Sequence, residues 1–211
     1  MKLSISFLKS IYSLEETISK INNLNYDGYI HVDILDGKYV PSSVTDLDKY
    51  ISVLTNTTKP LDVHLMVDHP ISYINRLLSL KPEIITVHPD SLDDLVEISN
   101  ILRNNNIKMG IALNPDDDIN IIEKYADMID LVLIMSVYPG KGGQSFIDST
   151  PYKLEHLNKL KEVLNKNFLI EVDGGINDKT LPLIKNYISM YVCGSYICCN
   201  DDYQTQIDKL I

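Results

Sequence analysis

A chain of 211 residues, 45% hydrophobic and 23% charged, can bury one full core and has neither the composition of a disordered segment nor that of a fibre. Its formal net charge of −10 argues against nucleic acid or an anionic membrane as partner, since both are recognised by basic surfaces. It leaves room for a small anion held on backbone N–H groups.

Along the chain, short Ile/Val/Leu-rich runs alternate with amphipathic stretches. Leu3–Leu8 is the first run. It lies in an N-terminus without the long apolar core and cleavage site of a secretory signal. Ser13 then precedes Leu14–Ile18, with Glu16 at a capping-box spacing. Tyr29–Leu35 and Leu61–Val67 are the second and third runs, and His69-Pro70 opens a helix to Leu80. Ile84–His88 is the fourth, and Ser91 and Asp93 begin a helix to Arg103. After the fifth run, Met109–Asn114, Asp116–Asp118 put acid at the start of a helix over Ile119–Ile129. After the sixth, Leu131–Val137, Thr150 and Pro151 open a polar stretch to Asn167, with proline at the first helical position. Phe168–Val172 is the seventh run, Asn177-Asp178 precede a helix over Thr180–Ile188, and Met190–Ser195 is the eighth run.

Short runs without polar alternation suit strands covered on both faces. Eight strand–helix alternations with no linker between them predict one α/β domain over residues 1–211, a closed (β/α)8 TIM barrel. The alternative, an open doubly wound sheet, would carry a glycine fingerprint after the first strand, and Phe7-Leu8-Lys9-Ser10 has no glycine. No stretch is long enough to span a membrane. The cysteines, Cys193, Cys198 and Cys199, make no disulfide framework, so a reducing cytoplasmic compartment is expected. Cys198-Cys199 reads as small apolar filler after the last strand, because no further cysteine exists to complete a thiolate site.

Barrel active sites lie at the C-terminal strand ends, so polar residues there carry information. The runs hold Ser4 and Ser6; His31, Asp33 and Asp36; Asp62 and His64; then His88, Asn114, Ser136, Asp173 and Gly194-Ser195. Buried carboxylates imply a compensating cation. His31 and Asp33 are two residues apart and share a face, both into the barrel or both out of it. With His64 and Asp173 they make two imidazoles and two carboxylates, a donor set for Zn²⁺, Fe²⁺, Mn²⁺ or Co²⁺. His88 reads as a hydrogen-bonded core histidine, Asp62 as a structural residue deeper than His64, and Asp36 as a turn residue before Gly37.

A second constellation is rich in glycine. Pro139-Gly140-Lys141-Gly142-Gly143-Gln144 follows the sixth strand, Asp173-Gly174-Gly175 ends the seventh, and Gly194-Ser195 ends the eighth. Loops after strands seven and eight commonly form a barrel's phosphate site, and glycine lets backbone N–H groups approach an anion closely.

Taken in order, these segments resemble the ribulose-phosphate 3-epimerase family along nearly the whole chain. The matching residues are Ser6-Phe7-Leu8, His31-Val32-Asp33-Ile34-Leu35-Asp36-Gly37, Val40-Pro41, Leu61-Asp62-Val63-His64-Leu65-Met66, Ile85-Thr86-Val87-His88, Gly110–Pro115, Met135–Gly140 with Gly142–Phe146, Glu171–Ile176, and Gly194-Ser195. The resemblance implies a barrel of the ribulose-phosphate-binding type. It implies one divalent metal ion on His31, Asp33, His64 and Asp173, no organic cofactor, and Asp33 and Asp173 as the paired acid and base. It sets the substrate against Ser6, His64, Met66 and Met135. The substrate phosphate would rest on Gly142, Gly143, Gly174, Gly175, Gly194 and Ser195. The implied reaction is epimerisation at carbon 3 of a ketose phosphate, D-ribulose 5-phosphate to D-xylulose 5-phosphate, through a metal-stabilised enediolate. The implied partners are that sugar phosphate and further copies of the chain in a homo-oligomer.

The chain departs from the family where Leu35 replaces a methionine, Ser42 an asparagine, Lys141 a phenylalanine and Asp90 a glutamate. Lys141 and Tyr138 fall in the loop that would close over substrate. Lys141 either reads a substrate hydroxyl or the phosphate through its ammonium, or packs by its stem with the charge in solvent. Other readings are an allulose 6-phosphate epimerase, a catalytically inactive sugar-phosphate-binding protein, and a decarboxylase of the related barrels. For the decarboxylase, His31 stands where a glutamate would lead the motif.

Overall fold

Strands that are apolar on both faces need cover on both. The computed structural model, which describes residues 1–42 and 44–210, supplies it by closing eight parallel strands on themselves in sequence order. They are β1 (Lys2–Ser6), β2 (Gly28–Leu35), β3 (Leu61–Met66), β4 (Ile84–Val87), β5 (Lys108–Leu113), β6 (Leu131–Met135), β7 (Leu169–Asp173) and β8 (Met190–Cys193). β8 pairs with β1, so no open edge remains. The (β/α)8 expectation holds, and the open sheet is excluded.

Outward-facing Ile30, Val32, Ile34, Val63 and Leu65 pack with helical residues such as Ile18, Ile21 and Leu54 in one large cluster. A separate cluster, built on Tyr29, Ile84, Leu131, Leu133 and Met190, fills the lower barrel. Tyr29, His31 and Asp33 have the same parity on β2. The alternation therefore puts His31 and Asp33 inside the barrel, the choice that the sequence left open. Above the apolar floor the interior turns polar. The register sets His31 beside Asp62 and Asp33 beside His64, and Met135 beside Asp173.

The helices are shorter than the periodicity predicts. α1 (Leu14–Asn22) begins as expected, the Ser13 side chain accepting from the Glu16 N–H. α2 (Leu47–Leu54) starts from Asp46. α3 (Pro70–Leu77) stops before Leu80, passing into a 3₁₀ turn over Leu78–Leu80. α4 (Leu95–Asn104) is capped by Asp94, not by Ser91 or Asp93. Asp93 instead accepts from the Ile71 N–H and contacts His69. α5 (Ile121–Tyr125), α6 (Thr150–Val163) and α7 (Leu181–Ile184) are trimmed in the same way. Before α5 and α7, Asp118 and Asn177 form turns that take up N–H groups at the helix start, Asp118 from Asn120 and Asn177 from Lys179 and Thr180, whereas α6 starts at Thr150 as expected and ends early at Val163. Ser195 is not a strand residue. It opens α8 (Ser195–Cys198), so Cys198 is helical and buried while Cys199 is exposed. α9 (Tyr203–Asp208) ends the described fold.

Candidate active site and metal centre

Four of the expected side chains converge at the upper end of the barrel. One ligand atom from each of His31, Asp33, His64 and Asp173 lies within 4.8 Å of the others. Asp33 Oδ1 is 3.4 Å from His31 Nε2 and 3.5 Å from His64 Nδ1. Both nitrogens are buried without a hydrogen-bond partner. The other nitrogen of each ring is engaged, His31 Nδ1 with Asp62 Oδ2 at 2.6 Å and His64 Nε2 with His88 Nε2 at 2.9 Å. Two orphaned imidazole nitrogens aimed at a carboxylate, with a second carboxylate beside them, are a fitting seat for a divalent cation with nitrogen and oxygen ligands.

The electrostatics follow from crowding. Burial opposes charge on Asp33, but His31 and His64 outweigh it and hold this carboxyl well below the usual range. Burial likewise disfavours a charged His31, and Asp62 and Asp33 outweigh it, leaving the imidazole well above its ordinary value. Asp173 moves the other way, to about 6, through burial and then the neighbouring charge of Asp33. Burial and then His64 push His88 well below its usual value, which suits the hydrogen-bonded core histidine expected from the sequence.

Above the cation seat opens a cleft of about 580 Å³. Of the expected substrate-side residues, Ser6, Met66, Met135, Gly142, Gly143, Gly174, Gly175, Gly194 and Ser195 line it together with Asp33 and Asp173. His31 and His64 lie deeper. Ser6 Oγ donates to Asp33 Oδ2 at 2.8 Å. Leu35 sits aside, packed with Val40 and Met66. Asp36 takes the turn role expected of it, accepting from the N–H groups of Lys38, Tyr39 and Asp68. Asp90 accepts from the Tyr39 hydroxyl at 2.8 Å, and the Tyr39 ring rests against His88.

Glycine is required where the loops turn back over the cleft. Gly175 has φ +65°, and a Cβ there would lie 2.5 Å from the Phe146 backbone nitrogen. Gly175→Ala is therefore expected to cost about 1–3 kcal/mol, read as a fall of several degrees in Tm. An unchanged Tm would refute this account of the turn. The loop after β6 is tied internally, Gln144 Nε2 donating to the carbonyls of Tyr138 and Lys141 at 2.6 Å each. The Tyr138 hydroxyl donates to Asp116 at 2.9 Å. Lys141 is exposed, and no ion pair of its ammonium is found among the described residues.

The sequence reading missed Lys9, whose stem underlies Gly142, and Glu171. Glu171 is fully buried inside the barrel and clusters with His31 and Asp62. Its signal was present, a charge two residues before Asp173 and hence on the same strand face. Burial and then Asp62 hold its carboxyl well above the usual range. The folded state therefore keeps a proton that the unfolded chain releases, and Glu171 lowers stability as pH rises above its unfolded value. Glu171→Gln removes that dependence. Its Tm relative to the parent is expected to improve as pH rises above 5, and a gap moving the other way would contradict the assignment.

The Ribulose-phosphate 3 epimerase family model matches residues 2–198. The chain belongs to the ribulose-phosphate 3-epimerase family. It is an enzyme of the isomerase class. It is 36% identical to a ribulose-phosphate 3-epimerase of Bacillus subtilis over 86% of this chain and 84% of that one. A protein of the same name from Helicobacter pylori is also 36% identical, over 100% and 96%. Among solved structures, a tryptophan synthase alpha-subunit of Pyrococcus furiosus superposes with a TM-score of 0.71 at 14% identity, covering 99% of this chain and 96% of that one. That likeness speaks for the fold alone. Among the described residues no helix is long and apolar enough to cross a membrane.

Proposed function

We propose that this epimerase interconverts D-ribulose 5-phosphate and D-xylulose 5-phosphate by proton transfer between two carboxylates, Asp33 and Asp173, at a divalent-cation site. The observation that carries the reading is the meeting of both carboxylates with the free nitrogens of His31 and His64 beneath the glycine-lined cleft.

The hydrogen on carbon 3 is acidic because the adjacent carbonyl can take up the charge. A divalent cation bound at His31, Asp33, His64 and Asp173 supplies Lewis-acid stabilisation of that charge. The carboxylates come from separate strands, β2 and β7. One removes the proton from one face, the other returns a proton to the opposite face, and the roles exchange in the reverse direction. Ser6 orients Asp33 through its hydrogen bond. Met66 and Met135 give the cleft an apolar wall beside these carboxylates, limiting water at the reacting carbons. Gly142, Gly143, Gly174, Gly175, Gly194 and Ser195 offer backbone to the phosphate, which anchors the sugar away from the chemistry.

The test is NMR in deuterated water, with purified protein, added divalent metal and D-ribulose 5-phosphate. Deuterium entry at carbon 3 with formation of xylulose 5-phosphate is expected. The absence of both exchange and product would overturn the proposal.

The exposed head of Lys141 bears on the choice of sugar. Lys141→Phe is expected to leave the ratio of kcat/KM for ribulose 5-phosphate over allulose 6-phosphate nearly unchanged, because a solvated ammonium contributes equally to both. A shift of about tenfold, worth about 1.4 kcal/mol in the transition state, would show that this lysine reads the substrate.

A further inference from the structure

One layer below the cation seat, two polar side chains that the proposed reaction does not use, Ser4 and Asp62, back one of its ligands. Ser4, His31 and Asp62 sit on adjacent strands β1, β2 and β3, with relative exposures of 0%, 1% and 0%. Asp62 Oδ2 accepts from Ser4 Oγ at 2.7 Å and meets His31 Nδ1 at 2.6 Å. A charged group buried this completely costs far more than an apolar side chain of similar size unless its bonds are fully used. The inward positions just beneath are filled by the apolar cluster around Tyr29, Ile84 and Met190, so the fold does not demand a charge at this depth. Besides Ser4 and the neighbouring carboxyl of Glu171, what Asp62 touches is the far side of a candidate ligand.

An imidazole presents only one free lone pair when neutral, and its partner decides which nitrogen that is. A carboxylate only accepts, so the His31 nitrogen facing Asp62 must carry hydrogen. Once the ring gives up its second proton to a cation, Nε2 is the bare nitrogen, and it is the one that faces Asp33 Oδ1. His64 has a different arrangement, its outer nitrogen meeting the neutral ring of His88. Only His31 is backed by an anion, which also makes it the stronger donor of the two.

We propose that Asp62, held in place by Ser4, is a positioning residue that fixes the His31 ring and its tautomer with Nε2 presented to the cation. The inference rests on the divalent-cation reading above.

The test uses the full chain with Asp62→Asn and Ser4→Ala. Asparagine keeps the size but is neutral, and its amide can also donate, which permits the tautomer with hydrogen on Nε2. Three quantities are measured beside Tm: Zn²⁺ affinity by competition with a coloured chelator, the visible spectrum of the Co²⁺-loaded protein, and the His31 Nδ1 proton by ¹⁵N-edited NMR of the Zn²⁺-loaded protein. Asp62→Asn is expected to weaken Zn²⁺ binding about 10- to 100-fold, move the Co²⁺ bands, and shift the Nδ1 proton upfield. Ser4→Ala is expected to act in the same direction and less. A purely structural Asp62 would lower Tm and leave the other three unchanged, and that result in folded Asp62→Asn overturns the proposal. If Asp62→Asn does not fold, the same three readouts in Ser4→Ala decide. A parent protein that takes up neither Zn²⁺ nor Co²⁺ removes the cation reading and this inference with it. A parent that binds metal, beside variants that match it, removes this inference alone.

Discussion

Asp33→Asn and Asp173→Asn are each expected to lower kcat by about 10³-fold, within the range that positioned acid–base groups contribute. The two losses should differ in kind. Each carboxylate is assigned one face of carbon 3, so each variant should retain solvent exchange with only one of the two substrate epimers. Both residues also face the cation seat, so metal content is measured on the same samples to separate a lost proton-transfer group from a lost ligand. The environments of the pair are unequal, Asp33 held low by His31 and His64 and Asp173 raised to about 6 by burial and by Asp33. Divergence of this kind between neighbouring carboxyls is a mark of acid–base chemistry. Near-parental turnover in either variant, with its metal retained, would remove that residue from the mechanism.

Chelation is expected to lower activity by at least about a hundredfold, since several kcal/mol of Lewis-acid stabilisation is withdrawn. Adding back Zn²⁺, Fe²⁺, Mn²⁺ or Co²⁺ should restore it at about one ion per chain. His64→Ala should give the same deficit without chelator and resist rescue. Uptake should also depend on pH with a definite sign. Against burial, Asp62 and Asp33 keep His31 charged in the metal-free protein, and Asp173 holds a proton below about 6. A cation must displace these protons, so affinity rises with pH and proton release accompanies binding. Competition titrations at pH 5, 6.5 and 8 measure this. Full activity after exhaustive chelation, or affinity that falls as pH rises, would count against the site.

Much of this protein was legible before folding because the relevant information is local. Eight apolar runs, caps such as Ser13 before Glu16, and glycine after β6, β7 and β8 are set by neighbours in the chain. The pairing of His31 with Asp33 follows from the two-residue period of a strand. Helix ends were less legible. At Asp94, Asp118 and Asn177 the choice between cap and turn is decided by small free-energy differences and by what the side chain finds nearby.

Alternation declares which residues share a face, but not which face is the inside. Only closure of β8 onto β1 turned His31 and Asp33 inward and brought residues far apart in sequence, such as Ser4 and Asp62, to 2.7 Å. Closure also gave Asp62 and Glu171 their setting. A lone carboxylate within an apolar run carries no local sign of its partners, and its role depends on the strands that meet it across the barrel. Local chemistry thus determined the elements and the roster of reactive groups. The tertiary structure decided which of those groups face one another, because the close contacts of a barrel interior are made between strands rather than along them.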